Sequence, residues 1–198
     1  MKLLTAAGFP AIIIGILISG IGLFGHIQPG FAQATVISLG MVSAPPDGDV
    51  IVPLLLELES ESVQIGSITA IINYNSALVT FLRGEAGFLL DGVHAGFDVQ
   101  ARENATDPSR SLLKLDVRTE PDGGERKALR KGLILSLMFR INKDTPVDTE
   151  IPLPFESLSA GNIDDPASRI DPVTPEAGAI EVLSADAVPY VGCFFFTH

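Results

Sequence analysis

The chain has 198 residues, with 13 Lys and Arg against 24 Asp and Glu, a formal net charge of −11, one cysteine, three histidines and no tryptophan. So acidic a surface repels nucleic acid and anionic lipid headgroups. The lone Cys193 excludes an internal disulfide, and so few histidines make a His-built metal site a poor expectation.

Lys2 precedes an uncharged apolar run over residues 3–24, and Ala32-Gln33-Ala34 offers small residues at both positions that a signal peptidase inspects. This is the layout of a secretory signal peptide over residues 1–34, cleaved before Thr35. The run exceeds the usual apolar core of roughly 7–15 residues and approaches the roughly 20 that span a bilayer. An uncleaved anchor is therefore the alternative, and the only membrane contact expected. Either reading predicts a secreted or cell-surface location for one domain over residues 35–183, followed by a tail over residues 184–198.

Residues 35–39 read as a first strand. The turn Ala44-Pro45-Pro46-Asp47-Gly48-Asp49 follows, in which proline fixes φ and Asp-Gly tolerates a tight bend. Residues 50–58 are almost continuously apolar. Pro53 cannot donate a ladder hydrogen bond, which predicts an edge or a bulge there. In the next strand Ile68, Ala70, Ile72 and Tyr74 alternate with Ser67, Thr69, Ile71 and Asn73, the period-2 pattern of a strand with one buried face. A strand starts again over residues 79–82, and Gly84 and Gly87 are expected to break it. Residues 96–100 and 112–118 read as a further pair, the second with Leu113, Leu115 and Val117 inward and Lys114, Asp116 and Arg118 outward.

Pro121-Asp122-Gly123-Gly124 is a turn signal, and Arg126, Lys127, Arg130 and Lys131 read as a solvated turn or a one-turn helix before the next strand. In residues 132–141, Leu133, Leu135, Leu137, Phe139 and Ile141 alternate with Ile134, Ser136, Met138 and Arg140. Residues 151–155 are a short strand, residues 162–175 an Asp- and Pro-rich loop, and residues 179–183 the last strand. The tail carries the apolar stretch Val191-Gly192-Cys193-Phe194-Phe195-Phe196, which reads as a disordered or partly docked terminus, or as a processing or attachment signal. Eight or nine short strands separated by turns, with no amphipathic helix, predict an all-β sandwich.

The motifs of common enzymes are absent: no G-x-S-x-G, no H-E-x-x-H, no phosphate-cradling glycine loop and no C-x-x-C. A non-catalytic protein without a resident cofactor is the expectation. His94 stands in a Gly-flanked loop and reads as solvated. Asp47-Gly48-Asp49 and Asn162-Ile163-Asp164-Asp165 can each offer oxygen ligands to calcium, or serve as turn residues; neither has EF-hand spacing. Sugar binding commonly stacks rings on exposed aromatics. With no tryptophan and only Tyr74 and Tyr190 as tyrosines, a flat platform for polysaccharide is hard to build.

The order of these segments resembles the cohesin family, the receptor module that captures dockerins. The resemblance runs over residues 35–183. It rests on Pro46-Asp47-Gly48-Asp49-Val50 with its apolar strand, on Tyr74-Asn75-Ser76-Ala77-Leu78 where the family has Tyr-Asp-Pro-x-x-Leu, on the bend Arg83-Gly84, on the strand of Leu113, Leu115 and Val117, on the Gly-led strand over residues 132–141, and on Gly178-Ala179-Ile180-Glu181-Val182. Asn75-Ser76 departs from the usual Asp-Pro. The resemblance implies a jelly-roll sandwich of about nine strands, an architecture shared with carbohydrate-binding modules, with one flat sheet face for a dockerin-type protein partner. Carried over by position, the family's polar contacts fall on Ser67 and Thr69 and on Asp116, Arg118 and Thr119; hydroxyls stand where better-known cohesins often have Asn and Asp. The alternation adds Ile71 and Asn73 to that face, and Ile71, Ile134 and Met138 are expected to form its apolar patch. A carbohydrate-binding module and a structural subunit of a surface assembly are the alternatives.

Overall fold

Alternation of apolar and polar residues builds the central strands of the structure, a computed structural model that describes residues 35–187 apart from 61, 166 and 167. The proposed signal segment and residues 188–198 of the tail lie outside the described residues. In chain order the strands are β1 (Thr35–Leu39), β2 (Met41–Ala44), β3 (Asp49–Leu58), β4 (Ile65–Asn75), β5 (Val79–Ala86), β6 (Ala95–Glu103), β7 (Arg110–Thr119), β8 (Gly132–Ile141), β9 (Thr149–Leu153), β10 (Phe155–Asn162), β11 (Arg169–Ile170), β12 (Val173–Glu176) and β13 (Gly178–Val182). One turn of helix, α1 (Phe88–Asp91), precedes β6. One sheet is ordered β12-β1-β3-β8-β5 and the other β11-β10-β4-β7-β6; β2-β13-β9 form a small third sheet. The all-β sandwich expected from the sequence is the observed architecture.

The inward residues of the two large sheets form one core. Ile68, Ala70 and Ile72 of β4 and Leu113, Leu115 and Val117 of β7 are fully buried, as are Leu135, Leu137, Phe139 and Ile141 of β8. Each such aliphatic side chain contributes about 1.5–3 kcal/mol by leaving water. Phe139 joins the layers. Its ring stands edge-on to Tyr74 of the opposite sheet, at 5.5 Å and 76°, and to Phe81 of β5, at 5.4 Å and 69°. The Tyr74 hydroxyl is hydrogen-bonded to the Ser111 side chain and to the Phe81 backbone, and burial pushes its pKa above the usual tyrosine value.

Several segments differ from the sequence reading. Pro53 lies on neither an edge strand nor a bulge, since β3 runs between β1 and β8. Its carbonyl accepts the Gly40 N–H at 2.9 Å, and Gly40, one residue past β1, packs so closely on its ring that a β-carbon there would meet Pro53 Cγ at 2.5 Å. β5 continues through Gly84 to Ala86, with an irregularity between Phe81 and Arg83. β10 is not expected from the sequence beyond Phe155, because after Glu156 only short side chains and Leu158 mark it; it pairs with β4 along its length. The expected loop over residues 162–175 holds β11 and β12.

β8 carries a bulge: Leu54 pairs with Leu135 but Leu55 with Leu133, leaving Ile134 as the extra residue. A bulge shifts the alternation on one side of it. Leu133 is accordingly half-buried, and Ile134, expected outward, is fully buried. The strand opens on Gly132 at φ +132°, where a β-carbon would press on Phe88 and Leu89 of α1 at 3.2–3.3 Å.

Two outcomes follow from the inter-sheet aromatic contact. Phe139→Ala should lower the unfolding free energy by about 3–5 kcal/mol in urea denaturation. Tyr74 should ionise above the usual value of about 10 in ultraviolet titration, a transition absent from Tyr74→Phe. Because the folded state holds the neutral phenol, this stabilising effect is complete below the unfolded pKa and is lost as pH rises through the folded one.

Candidate functional site

The outer wall of the β11-β10-β4-β7-β6 sheet is set by β4, whose exposure alternates from Gly66 onward: Ser67, Thr69, Ile71 and Asn73 are partly exposed, while Ile68, Ala70, Ile72 and Tyr74 are buried. Strand pairing places these four residues in rows with their neighbours. Ser67 lies between Gly161 and Arg118, with Gly96 beyond; Thr69 lies between Ser159 and Asp116, with Asp98 beyond. Ile71 lies between Ser157 and Lys114, with Gln100 beyond, and Asn73 pairs with Leu112, with Arg102 beyond. Gly66 closes one end of β4: a β-carbon there would lie 2.6 Å from the Ile163 Cα, so the segment after β10 crosses the strand closely.

Side-chain contacts hold the wall in place. The Arg118 guanidinium donates two bonds to the Asp116 carboxylate, at 2.8 and 3.0 Å, and this fork raises the Arg118 pKa. Arg110 donates to Asn73 Oδ1 at 2.6 Å, Gln100 to Asp98 at 2.6 Å, and Arg102 to Gln100 at 3.1 Å. In water such pairs contribute little stability. Their effect is to orient donors and acceptors on an otherwise flat surface. Between β4 and β11 lies an open depression of about 320 Å³, lined by Ser67, Thr69, Arg118, Ser159, Gly161 and Arg169.

Ser67, Thr69, Ile71, Asn73, Asp116 and Arg118 therefore share one face. Three other residues assigned to it do not. Thr119 is 4% exposed, and its hydroxyl donates to the Gly66 carbonyl at 3.2 Å inside the sandwich. Ile134 is buried by the β8 bulge. Met138 is partly exposed, but β8 belongs to the other large sheet, where Met138 pairs with the half-exposed Ile51. The single apolar patch of Ile71, Ile134 and Met138 is thus divided among an outer wall, the core and the opposite wall. Lys114, read as outward but not assigned to the face, also belongs to it, as do Gln100 and Arg102, Ser157 and Ser159 of β10, and Arg169, which the sequence reading did not include. Lys114 was legible from its alternation, whereas the β10 and β11 residues depended on a pairing that sequence does not reveal.

The two oxygen-rich turns have protein partners. Asp49 accepts a fork from Arg140 at 2.7 and 3.0 Å, and that hydrogen bond holds its carboxyl below the usual range. Asn162 Oδ1 accepts the Asp164 N–H at 2.9 Å, an Asx turn. His94 lies 3.6 Å from the Glu120 carboxylate at an exposed loop.

No family model matches the chain, and no curated protein matches it. Solved structures do. The sixth cohesin of scaffoldin B from Acetivibrio cellulolyticus, solved with a Cel5 dockerin, superposes with a TM-score of 0.59 at 17% identity, covering 76% of this chain and 99% of that one. A non-cellulosomal cohesin from Archaeoglobus fulgidus gives 0.58 at 20% identity, covering 77% and 94%. The cohesin of a Coh-OlpA–Doc918 complex from Clostridium thermocellum gives 0.57 at 20%, covering 76% and 100%. The fold is cohesin-like.

The divided patch has a direct consequence. Ile134→Lys should cost roughly 3 kcal/mol or more of stability, since it buries a charge without a partner. Met138→Lys should stay within about 0.5 kcal/mol by thermal or urea unfolding.

Proposed function

We propose that this protein is an exported, non-catalytic docking module that captures a dockerin-type protein partner on the outer wall of the β11-β10-β4-β7-β6 sheet. One observation carries the reading: in a cohesin-like fold, β4 presents Ser67, Thr69, Ile71 and Asn73 in a line beside the Asp116–Arg118 fork, at the centre of a broad sheet face. Hydroxyls and a carboxylate supply the polar contacts, and Ile71 and Leu112 supply partly exposed apolar area near the middle. A protein interface needs this combination of an apolar centre and a hydrogen-bonding surround.

Export is supported by Lys2, the apolar run after it and Ala32-Gln33-Ala34. The setting we infer, following the family resemblance, is an extracellular assembly acting on polysaccharide. Direct sugar binding at this wall is disfavoured by its chemistry. The outward positions of β4, β6, β7 and β10 include no aromatic ring, so there is no surface on which a sugar can stack.

Capture of a panel of purified dockerin modules by the full chain tests the reading. Thr69→Lys combined with Ile71→Lys should weaken capture about 30-fold or more without shifting thermal unfolding. Undiminished capture by that variant refutes the face, and capture of no dockerin refutes the partner class.

A further inference from the structure

Charge is distributed unevenly over this molecule. Beyond residue 34 the chain carries 12 Lys and Arg against 24 Asp and Glu. Five of the twelve cations (Arg102, Arg110, Lys114, Arg118 and Arg169) stand at outward register positions of the β11-β10-β4-β7-β6 sheet. The carboxylates on that wall are Asp98 and Asp116, with Glu120 over the outward side of Gly96 and Glu156 in the β10 bulge at its corner. The rest of the chain is left with seven cations and 20 carboxylates. The wall thus carries a small excess of positive charge on an otherwise strongly acidic protein.

Its cations are not equally committed. Arg118 is held by Asp116, Arg110 by Asn73 and Arg102 by Gln100. The side chains of Lys114 and Arg169 have no ion pair or hydrogen bond among the described residues. Arg169 borders the depression together with the hydroxyls of Ser67, Thr69 and Ser159, the donor set that suits a carboxylate. Lys114 lies about 10–15 Å from that depression by strand spacing. Two carboxylates one heptad apart on a helix lie about 10.5 Å apart, so one acidic helix face reaches both.

Resting on the docking reading above, we propose that the partner is a protein with an acidic docking surface, one carboxylate seated in the Arg169 hydroxyl depression and another against Lys114. Complementary fields steer such a partner onto this wall while the acidic remainder of the molecule repels it elsewhere. The orientation of docking is thereby selected by charge, and the few apolar atoms at Ile71 and Leu112 complete the contact.

Two helical peptides of equal length, one with Glu at i and i+7 and one with Lys at the same positions, are titrated into the full chain with amide resonances observed. The Glu peptide should move Ser67, Thr69, Lys114 and Arg169, and its affinity should fall about tenfold or more between about 0.05 and 0.3 M NaCl. Lys114→Glu with Arg169→Glu should abolish that binding and transfer preference to the Lys peptide. No binding, equal affinity for the two peptides, or perturbation confined to residues 126–131 overturns the proposal. So does tighter binding of polygalacturonate at the same residues, which assigns the wall to an acidic glycan. A dockerin whose capture is lost in the Thr69→Lys/Ile71→Lys variant but not in Lys114→Glu/Arg169→Glu overturns the acidic partner alone. Glu-peptide binding without capture of any dockerin overturns the partner class and keeps the acidic surface.

Discussion

Phe139 touches both halves of the fold: its ring meets Tyr74 of one large sheet and Phe81 of its own, each edge-on. Everything displayed outside depends on that inner contact, because a strand has only two faces. Once Tyr74, Ile72, Ala70 and Ile68 are committed to the core, Asn73, Ile71, Thr69 and Ser67 have nowhere to point but outward. A one-residue slip of β4 would bury three polar side chains and expose four core residues. The energy that fixes the register is therefore far larger than anything the outer wall contributes, and the wall is free to carry side chains chosen for recognition.

That freedom explains the wall's character. Its ion pairs and hydrogen bonds link neighbouring residues on the surface, as in the Arg118–Asp116 fork and the Arg110–Asn73 contact. These contacts add little to stability and instead present donors and acceptors in defined places. The opposite wall is chemically different, with the half-exposed Ile51 beside Met138 and the Asp49–Arg140 pair at its end. The two walls share one core but need not share a role.

The limits of reading alternation show most clearly in β8. Its ten residues look like the cleanest strand in the chain, yet the bulge beside Leu133 turns Ile134 into the core. A bulge is a property of the pairing with β3, and nothing local to residues 132–141 announces it. β10 fails in the opposite way. Ser157, Ser159 and Gly161 carry too little apolar signal to announce a strand, but β4 supplies the partner that makes them one. The depression bordered by Arg169 arises only when β10 and β11 are laid alongside β4.

Alternation by itself determined that this is an all-β sandwich, which residues of β4 and β7 face inward, and that Ser67, Thr69, Ile71 and Asn73 form an outward line. Those properties are local, since each follows from a strand's two-residue repeat and the water-avoidance of its apolar members. Tertiary structure alone decided which strands are neighbours. It placed β8 across the core from β4 rather than beside it, withdrew Ile134 and Thr119 from the surface, and gathered Lys114, Arg118 and Arg169 onto one wall. Strand order and bulges are settled by hydrogen bonds between segments far apart in the chain, and a repeat of two carries no record of its partner.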